Sequence, residues 1–166
     1  MKAIVAMDPY RVIGCKDRIP WHYPEDLKWF KAQTNDSVLV MGRRTFESVG
    51  CLPGRFTYVL TTDPKKLASH EDVNRRYIQG SELTEWCQKW PGRTSYFWLC
   101  GGARVYKEFL PLCTELFCTH IIEDYDGDTY MPEFEADFPN SKIVKETKDF
   151  WIVRYWKENP VICCCC

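Results

Sequence analysis

Apolar runs of strand length alternate along this chain with segments of helical period, the pattern of an α/β sheet with crossover helices. Lys2 to Met7 reads as a buried strand, and the spacing after it predicts a helix over Pro24 to Gln33. Ser37 to Met41 is a second strand that runs directly into a short helix, Gly42 to Val49, closed by Gly50. Phe56 to Thr61 is a third, rich in β-branched and aromatic residues, with Arg76 to Ile78 as a short fourth. Ser81 is placed to cap a helix whose Leu83, Trp86, Cys87 and Trp90 fall at the spacing of a buried stripe. Ser95 to Cys100 is strand-like and meets Gly101-Gly102 and a helix, Ala103 to Leu110, that Pro111 stops. Leu116 to Ile122 is a further strand, and Lys142 to Thr147 with Phe150 to Trp156 reads as an antiparallel hairpin with one packed and one more exposed face. The stretch Asp8 to Tyr23 is longer than an ordinary connection, as loops that close over a ligand often are.

With 166 residues, 45% of them hydrophobic and 15% aromatic, the chain can bury a sizeable core in one domain. Residues 1–158 are assigned to that domain and 159–166 to a cysteine-rich tail ending in Cys163 to Cys166. A net charge of −1 argues against a nucleic-acid or anionic-membrane surface and in favour of a small-molecule partner. No apolar run approaches a membrane span, and the opening segment is too soon interrupted to be a signal peptide, so a cytoplasmic location is expected. The other cysteines are scattered singly, as reduced cysteines are.

The candidate chemistry centres on Asp26. Pro24 suits a first helical position, which puts Asp26 in the first turn, and Trp29 and Phe30 follow it on the same stripe. Apolar neighbours push a carboxyl pKa up while the helix N-terminus holds it down, a setting for relaying protons to a cationic or amidine-like substrate. The same residues also fit an acid favoured by the helix dipole with its oxygens in solvent. Two strand-to-helix junctions, Gly42-Arg43-Arg44-Thr45 and Gly101-Gly102-Ala103-Arg104, have the layout of phosphate sites, and a pair of them suits a dinucleotide. Thr61-Thr62 would share the same carboxyl edge of the sheet. His22, His70 and His120 lack metal-ligand spacing, so no metal site is expected, and His120 reads as an interior or cross-strand residue.

Several segments in order from about Ala3 to Trp156 together resemble dihydrofolate reductase. They are Arg11-Val12-Ile13-Gly14, Ile19-Pro20-Trp21, Asp26-Leu27-Lys28-Trp29-Phe30, Val40 to Ser48, Leu52-Pro53-Gly54-Arg55, Gly101 to Tyr106, Thr119-His120-Ile121 and Gly127-Asp128-Thr129. The resemblance implies a mainly parallel eight-stranded sheet with an antiparallel C-terminal strand and four flanking helices. It also implies reduction of 7,8-dihydrofolate with NADPH, sensitivity to antifolate inhibitors, and a monomer. By position, Asp26 would hydrogen-bond the pterin and promote protonation at N5, Thr119 would steady its carboxylate, and Trp21 would order a water. Ala6, Leu27, Phe30, Val49, Leu52 and Cys100 would line the substrate pocket, and Arg55 would hold the α-carboxylate of the glutamate tail. Ala6, Ile13, Thr45, Gly101, Gly102, Ala103, Arg104 and Val105 would border the cofactor beside Gly42, with a cis peptide between the two glycines. Arg43, Arg44, Thr61 and Thr62 would meet the adenosine 2′-phosphate.

Four features depart from the family pattern. Cys100 stands in place of an aliphatic residue, Ala103 in place of a third glycine, and the turn Gly50 to Pro53 is one residue tighter than in several relatives. Asp63 could repel a 2′-phosphate or simply cap the turn before Pro64. Two alternatives stand beside the resemblance: a same-fold reductase of a riboflavin-precursor type of substrate, and a non-catalytic folate- or NADP-binding or assembly protein.

Overall fold

The middle of the sheet is built from the most apolar strand of the chain. β1 (Lys2–Met7) lies parallel to both β6 (Phe97–Leu99) and β7 (Glu115–Ile121). Outward from β6 come β3 (Val38–Gly42), β4 (Phe56–Leu60) and β5 (Arg75–Ile78), all parallel. Outward from β7, β10 (Phe150–Trp156) runs antiparallel, and β9 (Asn140–Glu146) pairs antiparallel to β10 at the edge. The sheet therefore has eight strands, only β10 being reversed. This computed structural model describes residues 1–158, so the tail assigned to 159–166 lies outside the described residues.

Strand periodicity divides the core between two faces. Ala3 and Val5 of β1 turn to one side, where they join Leu99, Leu116, Leu83, Tyr106 and Phe109. Ile4 turns to the other and joins Leu39, Met41, Phe46, Trp98 and Phe117, against which Trp29 and Phe30 pack. Four helices of at least two turns, α1 (Pro24–Thr34), α2 (Arg43–Val49), α3 (Gly80–Lys89) and α5 (Ala103–Phe109), flank the sheet, with α4 (Pro91–Thr94) a single turn between α3 and β6.

Several local expectations are corrected. Gln79, not Ser81, caps α3: Gln79 and Glu82 form a reciprocal capping box, which Ser81, already inside the helix, cannot make. Trp90 is 46% exposed because the helix ends at Lys89 and leaves it at the C-cap, off the buried stripe. The strand expected over Ser95 to Cys100 shortens to Phe97–Leu99, since Pro91 starts α4 immediately before it. β9 is exposed along most of its length rather than alternating, as an edge strand covered on neither face would be.

The stretch Asp8 to Tyr23 is not wholly irregular. It contains β2 (Val12–Gly14), which pairs antiparallel with β8 (Thr129–Tyr130). Asp8, only 2% exposed, organises it. Its Oδ1 accepts the Tyr10 and Val12 N–H groups at 2.9 and 2.7 Å, and its Oδ2 accepts the Tyr125 N–H at 3.0 Å. Asp8→Ala leaves these three donors without their acceptor and is expected to cost about 2–4 kcal/mol in urea unfolding. A loss below about 1 kcal/mol would show that the loop does not depend on this carboxylate.

Candidate active site

Parallel strands that end level with one another leave a crevice beyond their carboxyl ends, and here β1, β3, β4 and β6 open onto a cavity of about 1360 Å³. The residues expected to meet substrate or cofactor all line it. On one side stand Ala6, Trp21, Asp26, Leu27, Phe30, Val49, Leu52, Arg55, Cys100 and Thr119. On the other stand Ile13, Gly42, Arg43, Arg44, Thr45, Thr61, Thr62, Gly101, Gly102, Ala103, Arg104 and Val105.

Pro24 does open α1, which sets Asp26 in the first turn. Thr119, buried on β7, donates its hydroxyl to Asp26 Oδ1 at 2.7 Å. Burial raises the Asp26 pKa above the ordinary value, while the Thr119 hydrogen bond and the Lys145 charge pull it partly back. The solvated alternative for this acid is thereby set aside. Trp21 enters the cavity wall tilted against Tyr125, ring centres 5.2 Å apart.

Phe30 and Leu52 form the apolar wall next to Asp26, while Leu27 and Val49, 47% and 40% exposed, stand at the mouth. Arg55 is buried, donating Nε to the Pro53 carbonyl and Nη1 to Thr34 Oγ1, both at 3.2 Å, with its guanidinium over the Phe30 ring. Its Nη2 has no protein acceptor among the described residues, so the fork keeps donors for a ligand carboxylate. Cys100 hydrogen-bonds the Trp98 carbonyl, and burial pushes its thiol pKa far up, so it contributes a neutral wall rather than a nucleophile.

At the far end, α2 and α5 both begin with glycine caps that supply no side-chain acceptor, which leaves their first N–H groups facing the cavity. Gly42 N–H donates to the Gly101 carbonyl at 2.8 Å, and the Gly101-Gly102 peptide is cis. A Cβ on Gly42 would come within 3.0 Å of Val105 Cγ2, and one on Gly102 within 3.1 Å of Thr45 Oγ1. A side chain at either position would therefore push on Val105 or Thr45 and crowd the cradle.

The two arginines are not equivalent. Arg43 pairs with Glu47 at 2.7 Å, whereas Arg44 is exposed and has no acidic partner among the described residues. Asp63 caps the turn after Pro64 through the Lys66 N–H and pairs with the Lys66 ammonium at 3.2 Å, so its charge is largely answered locally. His120 is a cross-strand residue, stacked on Trp151 and bonded to the Tyr155 hydroxyl at 3.0 Å.

Some contributors have a structural role that the sequence alone does not assign. Ser48 of α2 donates to the Asp17 carbonyl at 2.6 Å and, with Asp128 accepting the Lys16 N–H at 3.0 Å, fastens the Asp8–Tyr23 loop along the cavity. Gln79, Gly80 and Ser81 enter the wall because Gly80 lets α3 approach Phe109, where a Cβ would lie 2.6 Å from Cζ. Lys145, far away in sequence, reaches the first turn of α1 through Glu25 at 2.7 Å.

A protein-family model, Dihydrofolate reductase, matches residues 1–150. Dihydrofolate reductase 1 of Haloarcula marismortui is 31% identical over 172 residues, spanning 95% of this chain and 91% of its own length. Dihydrofolate reductase of Bacillus subtilis is 34% identical over 170 residues and 94% of each chain. A solved structure of dihydrofolate reductase from Enterococcus faecalis, complexed with NADP(H) and RAB-propyl, is similar with a TM-score of 0.75 and 32% identity over 95% of this chain and 96% of that one. The chain belongs to the dihydrofolate reductase family.

Proposed function

We propose that Asp26, held by Thr119 within a cavity long enough for two ligands, is the acid with which this chain reduces 7,8-dihydrofolate to 5,6,7,8-tetrahydrofolate. As a member of its family the chain is an NADPH-dependent oxidoreductase. The observation that carries the site assignment is the 2.7 Å bond from Thr119 to a carboxylate whose pKa burial has raised. A carboxyl poised in this way both grips the amino and N3 groups of a pterin and helps a proton reach N5 through water. Trp21 orders that water, and Phe30, Leu52 and Cys100 exclude others from the ring. Arg55 takes the glutamate carboxylate with its free donors.

The residues at the other end fit NADPH. The uncapped starts of α2 and α5, held side by side by the Gly42–Gly101 hydrogen bond, offer backbone N–H donors to a diphosphate. Arg44, Thr61 and Thr62 take the 2′-phosphate, with Arg43 shared with Glu47. When bound, NADPH supplies a hydride to pterin C6. The protein aligns the two ligands and keeps water out through the Asp8–Tyr23 loop. The riboflavin-precursor alternative is not favoured, because it leaves the Asp26–Thr119 pair and the Arg55 donors without a purpose, and the non-catalytic one is not favoured because the curated relatives are named as reductases. We read the chain as a cytoplasmic monomer with 1–158 as its domain. Six unbridged cysteines among the described residues support the cytoplasmic reading, and the cavity wall suits antifolate inhibitors.

Asp26→Asn is expected to lower turnover with NADPH and dihydrofolate on the order of a hundredfold at neutral pH and much less in acid, where solvent protonates N5. Equal loss at every pH would contradict the role. Arg44→Ala is expected to raise the KM for NADPH roughly tenfold and that for NADH little, and equal effects would take Arg44 off the 2′-phosphate. Burial also has a stability consequence. The native state binds the Asp26 proton more tightly than the unfolded chain, whose carboxyl titrates near its ordinary 3.8, so stability falls as pH rises from there through the raised native pKa. Thermal melts of D26N and the parent should therefore diverge with rising pH in favour of D26N and then stay apart. A gap that closes would mean that Asp26 is not strained by its site.

A further inference from the structure

Asp26 is assigned above as the acid of the reaction, and its immediate partner, Thr119, reaches it from β7. Across β10, Thr119 is in register with Ile152, and Ile152 is in register with Lys145 of β9. In-register residues project to the same face, so Thr119 and Lys145 emerge about 10 Å apart on the same side of the sheet. That is the side on which α1 begins. Lys145 leans over the Phe150 ring, is 27% exposed at its side chain, and contacts Glu25 Oε1 at 2.7 Å. Glu25 is the residue directly before Asp26, so the sheet presents a hydroxyl to one carboxylate and an ammonium to its neighbour.

We propose that Lys145 is a positioning residue for the acid: pinned against the first turn of α1 by Glu25, its ammonium sets the upper limit of the pH range in which Asp26 works. The proposal rests on the reading of Asp26 as that acid. The other groups around Asp26 are Thr119 from β7, with Cys118 next to it on the opposite face of the sheet, Glu25, Lys28 and Lys31 on α1 itself, His22 from the loop, and Arg55 across the cavity. Among them, Lys145 is the cation that favours the charged form of Asp26 against the burial that opposes it. Glu25 has two opposing effects, since it anchors the ammonium and neutralises part of its field. A partly exposed Lys–Glu pair that served only to hold β9 to α1 would contribute at most about 1 kcal/mol to stability and would leave the pH dependence of the reaction alone.

The test is the pH profile of kcat/KM for the parent, K145M, K145Q, K145R and D26N. Removing the ammonium raises the pKa of the acid, so K145M and K145Q are expected to hold their rate to higher pH. About one pH unit above the parent's midpoint, each should keep roughly twice the parent's fraction of its own low-pH rate. K145R, which keeps the charge, should overlay the parent. The K145M shift should shrink in about 1 M salt, because the charges are partly exposed. A K145M profile that overlays the parent, or a K145R profile displaced as far as K145M, overturns the proposal. A D26N variant that keeps the parent's pH limb removes the acid assignment itself, and the Lys145 proposal with it. Loss of the limb in D26N together with unmoved K145M and K145Q profiles overturns the Lys145 role alone.

Discussion

One hydrogen bond ties the helix that carries the acid to the sheet: Thr119 Oγ1 of β7 donates to Asp26 Oδ1 of α1 at 2.7 Å. Thr119 lies on β7, in register with Ala6 of β1, where backbone positions are fixed by parallel ladders on a buried sheet. Asp26 belongs to a helix held to that sheet by Trp29 and Phe30. The bond locks a carboxylate that would otherwise rotate, and it offsets part of the cost of keeping the charge out of water. What remains of that cost is a raised pKa, which keeps the protonated form present to higher pH than in an ordinary carboxyl.

The other constraint is close backbone approach. Tyr106 of α5 donates its hydroxyl to the Ile4 carbonyl at 2.6 Å inside the core, which seats the helix against β1. That seating brings the Gly101-Gly102 corner to within hydrogen-bond distance of Gly42. On the proposed reading a dinucleotide diphosphate would meet backbone rather than side chains, with charge left to the arginines at the rim. The Asp8–Tyr23 loop along the cavity is fixed at separate points, by Asp8 at its root, Asp128 and Ser48 along its length, and the Arg11–Glu135 pair at 2.6 Å.

The elements legible from sequence were those whose apolar pattern is decided locally. β1 and β10 are found with their ends as read, because continuous apolar runs permit little else, and Pro24 and Gly50 mark real helix ends. β2 and β8 were not legible, since strands of three and two residues have no periodicity and exist only because each finds the other. The capping of α3 by Gln79 rather than Ser81 turned on a choice between neighbouring polar residues that the Glu82 side chain decides. In the site, the glycine junctions and the Asp26 turn could be read because their chemistry is local. The imbalance between Arg43 and Arg44 comes from an i,i+4 pair with Glu47 that competes with any ligand, and the reach of Lys145 to Glu25 is set by strand order. Neither property belongs to a motif.

The central claim is that burial, moderated by Thr119, holds Asp26 above the ordinary carboxylate range in the folded protein. The most direct measurement is a carbon-13 carboxyl NMR titration of the ligand-free enzyme, with the Asp26 resonance assigned by its loss in D26N. A midpoint above the ordinary value of 3.8 is predicted. A midpoint at or below that value would mean that the helix N-terminus and Thr119 outweigh burial, and that Asp26 is a spectator anion rather than the acid of the reaction.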